Sequence, residues 1–172
     1  SSYLNGLLLD GKEEYKPVII EAAKSLSTRF RKGAGIIQSW NVDKGTWQAE
    51  RGWTCPVIID NMMNLELLFE ATRLSGDSTY YNIAVSHANT TLKNHFREDN
   101  SCYHVIDYNP ETGEVLHKHT AQGYAHETAW ARGQVWALYG YTMCYRYTKD
   151  ERYLEQAQKV YDFIFNHPNL PK

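Results

Sequence analysis

Apolar residues recur at helical spacing over three stretches of the chain, Tyr15 to Phe30, Tyr80 to Phe96 and Tyr153 to Phe165. In the last of these, Tyr153, Ala157, Val160 and Ile164 fall on one side of a helix, with polar residues opposite. Each stretch follows a version of the same turn: Gly11-Lys12-Glu13-Glu14-Tyr15, Gly76-Asp77-Ser78-Thr79-Tyr80 and Lys149-Asp150-Glu151-Arg152-Tyr153. The acidic and hydroxyl residues in these turns are N-cap candidates, because a helix leaves its first amides without partners. Ahead of each turn lies a second kind of helix, apolar around most of its circumference. The first is a short piece from Tyr3 to Leu9; the others run from about Pro56 to Leu74 and from about Thr128 to Tyr147. A helix apolar on most sides is covered on most sides. The pattern therefore predicts an all-α array of helical hairpins, each with an inner apolar helix, a turn and an outer amphipathic helix. Gly133, Ala137 and Gly140 line one side of the third inner helix, where a neighbouring backbone can come close.

The links from an outer helix to the next inner one are long, and two carry strand texture. Ile36-Ile37-Gln38-Ser39-Trp40 is one. In the other, Tyr103 to Tyr108, a turn at Asn109-Pro110-Glu111-Thr112-Gly113, and Val115 to His117 predict a small β-hairpin. Long loops on one end of a rigid array are where binding residues gather. No composition break or low-complexity linker divides the chain, so residues 1–172 read as one domain.

Composition changes this picture little, apart from its aromatic load. Thirteen tyrosines and five tryptophans supply flat faces with polar tips, which pack cores and also stack on sugar rings. A net charge of -2 with scattered Lys and Arg gives no footprint for nucleic acid or for an acidic membrane surface. No apolar run approaches the roughly 18 residues of a membrane span. Three cysteines, odd in number and far apart, support neither a disulfide framework nor a zinc motif. No basic-then-apolar leader opens the chain, which begins inside a helical pattern; bacterial periplasm and cytoplasm both stay open.

Candidate chemistry sits at the ends of the inner helices. Asp60, in Val57-Ile58-Ile59-Asp60-Asn61-Met62-Met63, reads either as a helix cap or surface carboxylate, or as an acid among apolar groups. In the second case desolvation raises its pKa and lets it donate a proton near neutral pH. Arg132 and Trp136 lie one turn apart on one face of the third inner helix. Arg132 could bind an anionic ligand, or instead pair with Glu127 or reach solvent. Trp40 and Trp130 are further aromatic candidates; His104 and Gln122 are polar groups on loops facing the helix ends. His117 and His119 share a strand face ahead of His126, but no third ligand completes a metal set.

Three stretches carry a family resemblance. These are Ile58-Ile59-Asp60-Asn61-Met62-Met63-Asn64-Leu65; Tyr103-His104 with the Asn109-Pro110-Glu111-Thr112-Gly113 turn; and Gln122-Gly123 through Trp130-Ala131-Arg132-Gly133-Gln134-Val135-Trp136-Ala137-Leu138-Tyr139-Gly140. In this order and spacing they resemble the unsaturated glucuronyl hydrolases, glycoside hydrolase family 88. The resemblance implies about half of an (α/α)₆ toroid, a partial catalytic domain truncated at both ends relative to the family. An upstream His-Asp pair with a second carboxylate and the C-terminal hairpins lie outside these residues. The chain alone is accordingly expected to be inactive, with exposed inner-helix flanks that recruit another copy or a complementing segment.

The implied substrate is an unsaturated uronyl oligosaccharide from a glycosaminoglycan such as chondroitin or hyaluronan. Its C4=C5 enol ether is hydrated, and the resulting hemiketal opens to release the partner sugar. By this resemblance Asp60 protonates C4, and His104 and Gln122 position water and substrate hydroxyls. Arg132, with Thr128 and Trp130, holds the uronate, while Trp40 and Trp136 pack on the ring. No metal or organic cofactor is called for. Val135 departs from the Ala common at its place in the motif. Two alternatives stand beside this reading: an unsaturated rhamnogalacturonyl hydrolase sharing the toroid and the chemistry, and a noncatalytic helical-repeat scaffold or sugar-binding module. The Tyr103-His104 hairpin favours the first reading over the rhamnogalacturonyl one.

Overall fold

The computed structural model describes residues 2–168. It is mostly helical, with small sheets in the links. Three helical hairpins follow one another: α1 (Ser2–Asp10) with α2 (Tyr15–Ser27), α4 (Leu65–Ser75) with α5 (Ser78–Asn94), and α6 (Ala131–Thr148) with α7 (Glu151–Asn166). A single turn, α3 (Trp47–Glu50), lies in the first long link.

The repeated turn has a backbone cause. Gly11, Gly76 and Lys149 all take positive φ, at 68°, 76° and 60°. A left-handed residue after a helix reverses the chain and lets its amide cap a free carbonyl, as Gly76 does for Thr72 and Lys149 for Tyr145. Asp77 and Asp150 then cap the outgoing helices, accepting from Thr79 N at 2.8 Å and Arg152 N at 3.0 Å. In the first turn Glu14 makes no such side-chain cap.

The inner helices α4 and α6 run parallel, and two tyrosine–glutamate bonds show it. Tyr139 Oη donates to Glu66 and Tyr147 Oη donates to Glu70, each at 2.6 Å, so both helices advance in the same direction. The main core lies between the hairpins and includes Leu65, Leu68, Ala84, Ala88, Ala137, Tyr141 and Val160. Tyr141, fully buried, donates to the Ala88 carbonyl at 3.0 Å.

The predicted starts of two inner helices are corrected. The second inner helix does not begin at Pro56: Pro56–Ile58 is a strand, β3, and Ile59–Asn64 forms 3₁₀ turns before α4 starts at Leu65. Val57, Ile58 and Ile59 are β-branched, and a short apolar run of this kind suits a buried strand as well as a helix. The strand wins because it has a partner. β3 pairs antiparallel with β4 (Val105–Tyr108), which pairs with β5 (Val115–His119). Pro56 sits at the start of an edge strand, where its missing amide costs nothing. The third inner helix likewise begins at Ala131 rather than near Thr128.

In the first link, β1 (Phe30–Arg31) pairs antiparallel with β2 (Ile36–Ile37). A second, smaller core under the three-stranded sheet holds Ala34, Ile36, Cys55, Val57, Ile106 and Tyr108. The stripe of small residues on α6 meets the 3₁₀ segment. A Cβ on Gly133 would stand 3.1 Å from Ile59 Cγ2, and one on Gly140 would overlap the Met62 side chain. The segment carrying Asp60 is thereby pressed onto the N-terminal half of α6.

Candidate active site

Strand register places the central pair. Pro56, Val57 and Ile58 face Asp107, Ile106 and Val105, and Ile59 N continues the ladder by donating to the His104 carbonyl at 3.0 Å. The next residue, Asp60, therefore stands beside His104, with Asp60 Oδ2 3.8 Å from His104 Nε2. Two bonds brace this corner: Asn61 Nδ2 donates to the Ile37 carbonyl at 2.7 Å, and Ile58 N donates to Ser39 Oγ at 2.8 Å.

Asp60 is neither a helix cap nor a surface carboxylate. Its side chain is only 15% exposed, and Oδ2 is buried with no hydrogen-bond partner among the described residues. Burial raises its pKa above the ordinary carboxylate value, against the lowering pull of its own backbone amide and of Arg132. His104 is buried too, and desolvation, helped by Arg132, pushes its pKa down to about 4. Proximity alone would suggest an ion pair. With a neutral imidazole near pH 7, the contact is instead one of a dipole with a protonation-prone acid.

Two further flat groups, Trp130 and Arg132, extend from His104. The imidazole of His104 lies 4.2 Å from the Trp130 ring, and the Arg132 guanidinium lies 4.3 Å from that ring on α6. Arg132 Nη2 also donates to Gln122 Oε1 at 2.6 Å. The cation thus has a neutral amide partner and stays available to an anion. The alternative partner, Glu127, is engaged elsewhere: it accepts from Tyr103 Oη at 3.2 Å and lies 3.7 Å from Arg97.

A tryptophan wall continues from His104. Trp40 approaches His104 edge-on at 6.4 Å, stacks on Trp53 at 5.8 Å and meets Trp47 at 5.1 Å. Trp53 and Trp47 were not among the residues picked out from the sequence. Trp53 is buried and donates from Nε1 to His119 Nδ1 at 2.8 Å. Its loop is anchored by Asp107, whose Oδ1 accepts from Thr54 N and Cys55 N. Arg51 lies over both Trp47 and Trp53 and donates to the Thr120 carbonyl at 2.8 Å. The recurrence of Trp40, Trp47 and Trp53 within one link was the available signal.

Asp60, His104, Gln122, Trp130, Arg132 and Trp40 are therefore one connected group. Trp136 is half-buried one turn along α6 and packs against Tyr139. Thr128 closes a turn on Ala125, donating to its carbonyl at 2.9 Å. It also borders an apolar cavity of about 580 Å³ between α6 and α7, with Val135, Phe163 and Ile164. His117, His119 and His126 stack face to face at 5.1 and 4.2 Å, and no metal-holding cluster of His, Cys, Asp and Glu occurs among the described residues. All three cysteines are buried and free.

A helical-hairpin array with a desolvated carboxylic acid, an arginine and an indole wall at one end has the makings of a carbohydrate-active enzyme. Residues 3–169 match Glycosyl Hydrolase Family 88, and the chain belongs to that family. It is 54% identical over 172 residues to an unsaturated glucuronyl hydrolase of Formosa agariphila, covering 99% of this chain and 42% of that protein. Against an unsaturated chondroitin disaccharide hydrolase of Streptococcus pneumoniae the identity is 37%, over 95% of this chain and 39% of the relative. A crystal structure of an unsaturated glucuronyl hydrolase specific for heparin superposes with a TM-score of 0.91 at 46% identity, over 99% of this chain and 44% of that one. The chain thus spans about two fifths of the length of the curated relatives it matches.

Proposed function

We propose that this protein hydrates the C4=C5 enol ether of unsaturated uronyl oligosaccharides derived from glycosaminoglycans, releasing the partner sugar. The observation that carries the reading is the Asp60 carboxyl, its pKa raised by burial, beside a neutral histidine and within the electrostatic reach of Arg132. An acid of this kind holds its proton closer to neutral pH and can deliver it to C4. The positive charge that develops at C5 is then met by the resulting carboxylate. Water adds at C5, assisted by the same carboxylate, and the hemiketal opens. His104 and Gln122 orient water and hydroxyls, Arg132 with Thr128 and Trp130 holds the uronate, and Trp40 and Trp136 pack on the ring. The names of the relatives, which act on unsaturated glucuronyl and chondroitin-derived sugars, support this substrate class.

We propose further that the three hairpins make up about half of an (α/α)₆ toroid, whose other hairpins supply a second carboxylate. The apolar side chains left on the surface agree with this: Leu8 and Leu9 on α1, and Val135 on α6, are more than a third exposed. Protein carrying the remaining hairpins, incubated with unsaturated chondroitin or hyaluronan disaccharides, should consume the far-ultraviolet absorbance of the conjugated alkene. Stable absorbance with both sugars would overturn the assignment.

A further inference from the structure

His104 makes contacts that no step above requires. Its Nδ1 faces the turn at Thr120, Ala121 and Gln122: Ala121 N lies 3.1 Å away, Gln122 N 3.3 Å away and Thr120 Oγ1 3.4 Å away. Two backbone amides can only donate, so the nitrogen they converge on must offer a lone pair. The proton of a neutral His104 then belongs on Nε2, the atom that points at Asp60 Oδ2. A proton on Nδ1 would meet two N–H groups head-on.

The turn is itself held from several sides. Thr120 Oγ1 accepts from Gly123 N at 2.8 Å, and the Thr120 carbonyl accepts from Arg51. Thr120 N donates to His126 Nδ1 at 3.0 Å. Thr120 is buried, and a Cβ on Gly123 would stand 2.5 Å from its hydroxyl oxygen, so the turn has little room to shift.

We propose that the Thr120–Gln122 turn is a tautomer clamp, with Thr120 the positioning residue that keeps the proton of His104 on Nε2, the nitrogen facing Asp60. At 3.8 Å this N–H makes no hydrogen bond with Oδ2, but its dipole favours negative charge on that oxygen and leaves a proton carried by Asp60 to Oδ1. His104 is then excluded as the base of the reaction and serves to choose which carboxyl oxygen holds the acid proton. This consequence rests on the hydrolase reading; the clamp itself does not.

The test reads the tautomer directly. Long-range proton–nitrogen correlation spectra of ¹⁵N-labelled protein near neutral pH, with His104 assigned by its loss in His104→Gln, distinguish a protonated from an unprotonated ring nitrogen. A single form with bare Nδ1 and protonated Nε2 is expected. Ala121→Pro removes one donating amide, and Thr120→Val removes the hydroxyl that ties Gly123; both should give a mixture of tautomers, and Thr120→Ser should restore the single form. If Ala121→Pro does not fold, the Thr120→Val and Thr120→Ser pair decides. Protonated Nδ1 in the unaltered protein, or an unchanged spectrum in folded Thr120→Val, overturns the clamp. Because no substrate is present, a clamp found intact in a protein that leaves unsaturated sugars untouched would sink the hydrolase reading alone.

Discussion

His104 Nε2 stands 3.8 Å from Asp60 Oδ2, and the two residues belong to segments joined by a β-ladder rather than by a helix. Their meeting depends on strand register: a slip of one residue would turn Asp60 to the other side. Register and burial together convert an ordinary carboxylate into a candidate acid.

Asp60→Asn should cost turnover by about a hundredfold to ten-thousandfold, the range for losing a general acid. The same change should stabilise the fold near neutral pH. A carboxyl with its folded pKa raised above the unfolded value ionises more readily when unfolded, so stability is lost as pH rises past the unfolded pKa. The amide carries no such charge. Initial rates from the alkene absorbance, measured on protein carrying the remaining hairpins, and thermal melts at pH about 7 check both halves; a variant that keeps near-normal rates would show that Asp60 is not the acid.

Acid should unfold the protein through two buried histidines, His87 within α5 and His95 just past its C-terminal end. His87 accepts from Ile37 N at 3.0 Å and His95 lies against Tyr108, and burial lowers both pKa values to about 3. Between the unfolded value of about 6.5 and about 3 the unfolded chain binds the extra protons. Stability, full above the upper value, then falls by up to about 1.4 kcal/mol per pH unit for each histidine. Far-ultraviolet dichroism against pH should show one cooperative loss inside that window, displaced to lower pH by His95→Phe. A midpoint unmoved by that substitution would remove His95 from the account.

Two of the hairpin turns predict opposite responses to substitution. Lys149 pays for a left-handed backbone that Gly76 adopts freely. Lys149→Gly should stabilise the protein by about 0.5–1 kcal/mol, and Gly76→Ala should destabilise it by about 1 kcal/mol or more. Urea titrations measure both; equal signs for the two would mean that backbone conformation does not govern these turns.

Trp40 should act on binding more than on chemistry. It links His104 to the Trp53 and Trp47 rings. Removing one aromatic face of about 1 kcal/mol corresponds to roughly a fivefold rise in KM, with kcat little changed. Trp40→Phe should recover most of the loss. A fall in kcat alone would place Trp40 in orientation of the acid instead.

The 172-residue chain by itself should associate. Leu8, 66% exposed, and Leu9, 88% exposed, form one flank with Tyr3 at 52%. At about 25 cal/mol per Å² of apolar surface, a few hundred Å² left wet forfeits several kcal/mol, comparable with a domain's net stability. Sedimentation should find dimers or larger species at micromolar concentration. A stable monomer would show that these flanks need no cover.

Much of the architecture was legible in the sequence because its causes are local. The spacing of Tyr153, Ala157, Val160 and Ile164 dictates one buried helix face, and Asp77 and Asp150 announce the caps of the outgoing helices, whereas the left-handed Lys149 is seen only in the fold. Asp60, Arg132 and Gln122 could be named from their motifs. What the sequence could not decide was whether Pro56–Ile58 coils or extends, since a short β-branched run satisfies both, and only pairing with β4 selects the strand. The same pairing brings His104 to Asp60, and the packing of the links gives Glu127 to Arg97 and Tyr103, leaves Arg132 to Gln122, and gathers Trp47 and Trp53 into the wall. Helix periodicity and capping act between residues a turn apart and can be read along the chain. Desolvation, partner choice and tautomer depend on neighbours distant in sequence, and those exist only once the hairpins have packed.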